Sequence, residues 1–188
     1  MPRHNTLPCA ASSTAAAQGM LGGMTSDEDL MLQYQAGDAS AFDALYDKYR
    51  GDMYRYLLRQ FDRATAEELY QDVWMKLIQA RQGYRPTASF RTWLYTITHN
   101  RVRDHYRRQH TSPLADGDCD IDTRGPDRIA QHQQALAALH QGIGRLPSEQ
   151  REAFLLKEES GLSLEEIATV MGASRESTKS RLRYAVRK

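Results

Sequence analysis

Cysteine is scarce: Cys9 and Cys119 are the two among 188 residues. They lie far apart in polar, turn-prone stretches, which excludes a disulfide framework and a cysteine-based metal set. The six histidines show no metal-ligand spacing. His99, His105 and His110 share a basic stretch, where surface or phosphate-contact roles are expected instead. No apolar run approaches the roughly 18–20 residues that span a bilayer. No apolar signal core follows a positively charged N-terminus. A cytoplasmic protein without membrane insertion is expected. No segment alternates with period two over a useful length, so no strand is expected. There is no nucleotide-binding loop and no catalytic constellation. The acid pairs Glu158-Glu159 and Glu165-Glu166 fall on exposed or capping positions, without a pocket. The expectation is a protein that is not an enzyme and has no metal and no cofactor.

A net charge of only +1 conceals strong local segregation. Asp27 to Asp47 holds six acids and no base. Arg91 to His110 holds five arginines against one aspartate. Asp116 to Asp127 holds five acids against one arginine. Ser174 to Lys188 holds six Lys/Arg against one glutamate. Blocks of opposite sign imply surfaces that meet partners of opposite sign.

Residues 1–24 are rich in Ala, Ser, Gly and Thr without periodicity, and are expected to be disordered. Met24 is a candidate start. Helical spacing begins at Ser26. Leu30, Tyr34, Phe42, Leu45, Tyr46 and Tyr49 recur at helical intervals, interrupted at Gly37-Asp38. Met53, Tyr54, Leu57, Leu58 and Phe61 continue a second helix. Ala64 to Ala80 forms a third on the stripe Leu69, Val73, Leu77 and Ile78. Gln82 to Ala88 is a loop. Phe90 to Arg108 is a long amphipathic helix with Phe90, Trp93, Leu94 and Ile97 on its core side. Gln109 to Arg128, with Pro113, Gly117, Gly125 and Pro126, is a linker. Helices resume over 128–143 and again from Pro147-Ser148 to about Glu159, broken by Gly161. The fold class is all-α: two small helical domains, 25–108 and 128–188, joined by a flexible acidic linker at 109–127.

The C-terminal segment reads as a helix-turn-helix. Ser163-Leu-Glu-Glu166 is a capping box. Ile167, Ala168 and Met171 form an apolar stripe, and Gly172 ends the helix. Ser174 can cap the next one. There Thr178, Leu182, Ala185 and Val186 share one face. Glu176, Ser180, Arg183 and Arg187 lie opposite, flanked by Lys179. A short helix, a glycine turn and a basic second helix can place side chains in a DNA major groove. An ordinary helical hairpin with a solvated charged face is the plain alternative.

Four segments resemble the sigma-70 family of bacterial RNA polymerase specificity factors, in its short extracytoplasmic function (ECF) form. Asp29-Leu-Met-Leu-Gln-Tyr-Gln-Ala-Gly-Asp-Ala-Ser-Ala-Phe42 looks like the family's first helix pair. Ala66-Glu-Glu-Leu-Tyr-Gln-Asp-Val-Trp74 is similar to its region 2.2. Phe90-Arg-Thr-Trp-Leu-Tyr-Thr-Ile-Thr-His-Asn-Arg101 looks like regions 2.3 and 2.4. Leu146-Pro-Ser-Glu-Gln-Arg-Glu-Ala-Phe154 with the helix-turn-helix looks like regions 4.1 and 4.2. The four come in family order and at family spacing, and cover nearly everything after Met24.

The resemblance implies roles position by position. Glu68, Gln71 and Asp72 fall where the family grips core RNA polymerase; on their own they are a polar face opposite Leu69, Val73 and Leu77. Asn100, Arg101, Asp104, Arg107 and Arg108 fall where the family reads the −10 element and holds its backbone. Asn suits base edges, and Arg suits phosphate or guanine. Arg175, Glu176, Lys179, Ser180, Arg181 and Arg183 match the positions that meet the −35 element. Arg181 lies nearer the apolar flank, which favours phosphate contact there. Phe90 and Trp93 are expected in the core; Tyr95 is left open between core and stacking on bases. The acidic linker fits either the connector that threads the polymerase's basic RNA path or a solubilising spacer. Implied partners are core RNA polymerase, promoter DNA and an anti-sigma factor. The chain stops at Lys188, where family members often continue.

Two rivals differ in class. A conventional helix-turn-helix regulator would bind a symmetric DNA site without polymerase. A sigma mimic that sequesters an anti-sigma factor would have lost the basic residues of both DNA faces, and this chain keeps them.

Overall fold

A computed structural model describes residues 25–111 and 142–187. The expectations for residues 1–24, for the linker beyond Thr111, for a helix over 128–141 and for Cys9 and Cys119 lie outside the described residues. Among the described residues all regular structure is helical.

Helix α1 (Asp27–Ala36) opens on Ser26, whose hydroxyl accepts from the Asp29 N–H while the Asp29 carboxylate answers the Ser26 N–H. Gly37 ends it in the left-handed conformation, and Asp38 caps α2 (Ala39–Leu58) through the Ser40 N–H. Asp62 caps α3 (Arg63–Ala80), accepting from Thr65 N–H at 3.0 Å. Each oxygen satisfies an N–H that the helix itself leaves without a partner. A 3₁₀ turn at Arg81–Gly83 leads through the loop to α4 (Phe90–Thr111). This helix continues three residues past Arg108, because nothing breaks it before Pro113.

The first four helices pack together around Met31, Leu45, Met53, Leu57, Leu69, Val73, Leu77, Phe90 and Leu94, all essentially inaccessible. A band of rings joins α1, α2 and α3: Tyr34 lies 4.9 Å from Phe42, Tyr46 lies 4.8 Å from Trp74, and Phe42 meets Trp74 edge-on. Tilted and edge-on contacts suit the ring quadrupoles. Ala66 and Trp74 thus join the expected α3 stripe, while Ile78 stays half-buried.

Helix α1 also sets the start of α4. The Gln35 amide donates to the carbonyls of Arg81 and Gln82, each at 2.9 Å. The Glu28 carboxylate accepts from the Phe90 N–H at 2.6 Å. An acid there complements the positive end of a 22-residue helix.

The second group is α5 (Ser148–Ser160), α6 (Leu164–Met171) and α7 (Arg175–Val186). Its interior is Ala153, Leu155, Leu156, Leu162, Ile167 and Val170. The two expected domain cores form one continuous cluster, with α2 against α5 and α4 against α6. Val186 departs from its expected face, and the open choice at Tyr95 is decided. Val186 is exposed, because the last turn of α7 runs past the helices that cover Thr178 and Ala185. Tyr95 is buried edge-on against Tyr56, which excludes it from base stacking in this arrangement.

Candidate nucleic-acid interface

The helix-turn-helix is built from its caps. Ser163 donates its N–H and hydroxyl to Glu166 Oε2 at 2.9 and 2.8 Å, and the Glu166 N–H returns to Ser163 Oγ. Gly172 turns the chain at φ 60°, where a side chain would strain the backbone. Ser174 caps α7 through Ser177 N–H at 3.2 Å. Thr178 is fully buried and anchors the helix, its hydroxyl on the Ser174 carbonyl.

These anchors turn Arg175, Glu176, Lys179 and Arg183 to solvent, with Ser180 at the margin. Arg175 pairs with Glu165 at 2.6 Å, across the turn of the motif. Arg183 lies over the ring of its neighbour Tyr184. Arg181 faces the body of the protein and pairs with Glu149 of α5 at 2.7 Å. That matches its expected lean toward the apolar flank.

At the far end of α4 the carboxylate of Asp104 binds Arg101 at 2.9 Å and Arg107 at 3.3 Å. Arg108 Nε donates to the Asp104 carbonyl at 3.4 Å. Asp104 therefore orients a cationic surface, with Asn100 half-buried one turn earlier. On α3, Glu68 and Gln71 are exposed and Asp72 is half-buried, opposite the buried Leu69, Val73 and Leu77. The exposed Met75 extends that face.

The structure adds a seam that sequence reasoning missed. Glu166 Oε1, the other oxygen of the capping-box carboxylate, accepts from the hydroxyls of Ser89 at 2.7 Å and Thr92 at 3.0 Å, on the first turn of α4. One carboxylate thus serves two helix N-termini. Burial pushes its pKa up, but the N–H of Ser163 and the hydroxyls of Ser89, Ser163 and Thr92 together outweigh this and hold it at about 2. Glu159 pairs with Arg59 at 3.2 Å and Arg55 at 3.5 Å. Glu152 accepts from Tyr56 and meets His99 Nδ1. Arg91 donates to the Ser160 carbonyl at 3.1 Å. Two expectations are corrected here. His99 is buried in the seam rather than at the surface, because α4 turns that face toward α5. Glu159 and Glu166 are half-buried inter-helix acceptors rather than simply exposed or capping acids. Partners of Glu152, Glu159 and Glu166 across the seam lie 53 to 104 positions away, so no local pattern could mark them.

Comparison with known proteins gives this arrangement a family. The models "Sigma-70 region 2" and "Sigma-70, region 4" match residues 45–111 and 136–188. An RNA polymerase sigma-H factor from Pseudomonas aeruginosa is 33% identical over 158 residues, spanning 77% of this chain and 82% of the relative. The chain belongs to the sigma-70 family. Its ECF character is shared with the ECF sigma factor SigM of Mycobacterium tuberculosis, 31% identical over 160 residues, covering 83% of this chain and 79% of SigM. As a sigma factor it is a transcription initiation factor, not an enzyme: it binds core RNA polymerase and directs it to promoters. The fold is that of CnrH in complex with the cytosolic domain of CnrY, at TM-score 0.66 and 24% identity over 85% of this chain and 91% of that one. It is also that of RpoE bound to the anti-sigma factor NepR from Bartonella quintana, at TM-score 0.64 and 22% identity over 78% and 92%. Region 2 of this sigma factor thus takes in most of α2 with α3 and α4, and region 4 takes in α5 to α7. No described helix is long and apolar enough to cross a membrane.

Proposed function

We propose that this sigma factor reads its promoter with two separate surfaces. The end of α4 takes the −10 element through Asn100, with Arg101, Arg107 and Arg108 on the backbone and Asp104 orienting two of them. Helix α7 takes the −35 element through Arg175, Glu176, Lys179, Ser180 and Arg183, with Arg181 confined to phosphate contact or to its Glu149 pair. Glu68, Gln71 and Asp72 on α3 form the polymerase contact. The working units are 25–108 and 128–188, with 109–127 as the acidic connector between them. The observation that carries the reading is the solvent face of α7, where anchored caps and the buried Thr178 turn Lys179 and Arg183 outward behind a helix-turn-helix bend.

RpoE is held by the anti-sigma factor NepR, and we assign this chain a protein partner of that kind. It acts in the cytoplasm, where polymerase and promoter are. Run-off transcription with purified core polymerase tests the function: transcripts should appear from a matching promoter when this protein is added. Tight, polymerase-independent binding to a symmetric DNA site, with no transcript, would instead support a conventional regulator.

A further inference from the structure

Glu165 and Glu166 stand side by side in the first turn of α6, but they face different neighbours. Glu166 is bonded to Ser163, Ser89 and Thr92. Glu165 reaches forward across the Gly172 turn, where its Oε1 accepts from Arg175 Nε at 2.6 Å. Arg175 is the first residue of α7, directly after the Ser174 cap. The two side chains keep 63% and 57% of their exposure, so water screens the pair. An exposed ion pair contributes little to stability. The bond to Arg175 is the main reason that the Glu165 carboxyl lies below the usual carboxylate range, which keeps it an ionised acceptor at neutral pH. The pair therefore acts on the conformation of Arg175 more than on the fold.

The form of the bond matters for what Arg175 can read. Arginine recognises guanine O6 and N7 through a planar fork of N–H groups. Glu165 takes the nitrogen nearest the stem. Arg175 Nη1 lies 3.6 Å from Glu176 Oε1, too long for a hydrogen bond. Among the described residues, this leaves the outer edge of the guanidinium for a second pair of acceptors. The N-terminal turn of a recognition helix is also the part that meets base edges. An unheld arginine loses rotamer freedom on meeting a base, whereas one held by Glu165 has lost much of it already. Arg181 is the contrasting case, since Glu149 draws it toward the body of the protein.

We infer that Glu165 is a positioning residue for promoter choice: it holds the Arg175 guanidinium ready for one base pair of the −35 element and sets how sharply that pair is chosen. The inference rests on the two-surface reading above. It lies within the helix-turn-helix itself, because both partners belong to α6 and α7.

The test uses the full chain with core polymerase and a promoter library randomised over the −35 element, read by run-off transcription. Arg175→Ala should flatten the preference at one base pair by about tenfold. Glu165→Ala should flatten the same position by about threefold, the scale of ordering one long side chain. It should not weaken binding across the library, because losing an acid beside DNA removes a repulsion. Glu165→Asp keeps the negative charge at the start of α6 but is one methylene too short to hold Arg175. It should flatten that position as well, and it keeps the test open if Glu165→Ala fails to fold. In the double variant Glu165→Ala with Arg175→Ala, preference should be no flatter than in Arg175→Ala alone. Unchanged choice in both Glu165 variants, an even loss over every −35 sequence, or a further loss in the double variant would each overturn the assignment. The two failures are separable. If Arg175→Ala flattens one position and the Glu165 variants do not, Arg175 reads DNA without help. If Arg175→Ala leaves −35 choice unaltered, the reading of α7 beneath the inference fails.

Discussion

Asn100, Lys179 and Arg183 differ in what they can offer DNA. The amide of Asn100 can pair with a base edge, while the ammonium of Lys179 is a point charge on a flexible stem. Lys179→Ala is expected to weaken polymerase-directed binding on all promoters about equally, lowering the salt slope by roughly one unit. Arg183→Ala is expected to cost about 1–3 kcal/mol and relax choice at one −35 position. Asn100→Ala should relax the −10 element and slow opening, with −35 choice unchanged. Selection from a promoter library distinguishes them; a −35 effect of Asn100→Ala would move the assigned surfaces. At the turn, Gly172→Ala meets no atom within 4 Å, so its cost is conformational. About 1 kcal/mol of lost stability is expected in urea unfolding.

Elements in this protein are set by their ends more than by their middles. Ser26, Asp38, Asp62, Ser163 and Ser174 each supply an oxygen to a free N–H, and Gly37, Gly161 and Gly172 each close a helix in the left-handed conformation. The caps at Ser163 and Ser174 and the glycine breaks were legible because such signals involve residues two or three apart, whereas the caps at Ser26, Asp38 and Asp62 were read only in the structure. The helix-turn-helix was therefore readable almost whole, down to the reciprocal bonds of Ser163 and Glu166. Helix α3 shows the limit of such reading. Its stripe was visible in Leu69, Val73 and Leu77, but the burial of Trp74 depends on Phe42 and Tyr46 of another helix. The polar face of the same helix is independent of that core. Gln71→Ala with Asp72→Ala should weaken capture of core polymerase while the circular dichroism spectrum stays helical; unaltered capture would remove the face from the proposed contact.

At the scale of the whole molecule, the Glu166 carboxylate makes stability depend on pH. Its pKa is depressed from the ordinary 4.5 to about 2. The sign follows from linkage: a depressed acid stabilises fully above its unfolded pKa, and the contribution fades as pH falls through the folded value. Wild type should therefore exceed Glu166→Gln in urea resistance at pH 6, and the gap should close between about pH 4.5 and pH 2. A gap independent of pH would mean that the bonds to Ser89 and Thr92 do not depend on the charge. The free protein should also bind promoters poorly. A flexible tether between two small reading heads predicts weak binding through low effective concentration.

The sequence by itself determined the helices, the caps of the helix-turn-helix, the glycine turns, the basic and acidic segments and the family. All of these rest on residues close together in the chain, where spacing fixes which side chains share a face or an end. Only the tertiary structure decided that His99 is buried, that Tyr95 packs on Tyr56, and that two expected cores are one. It also decided that Glu166, recognisable as a cap, has a second oxygen committed to another helix. Such contacts join residues up to 104 positions apart. A lone glutamate on a helix carries the same local signature whether water or a distant arginine completes its shell, and folding alone brings the partner near.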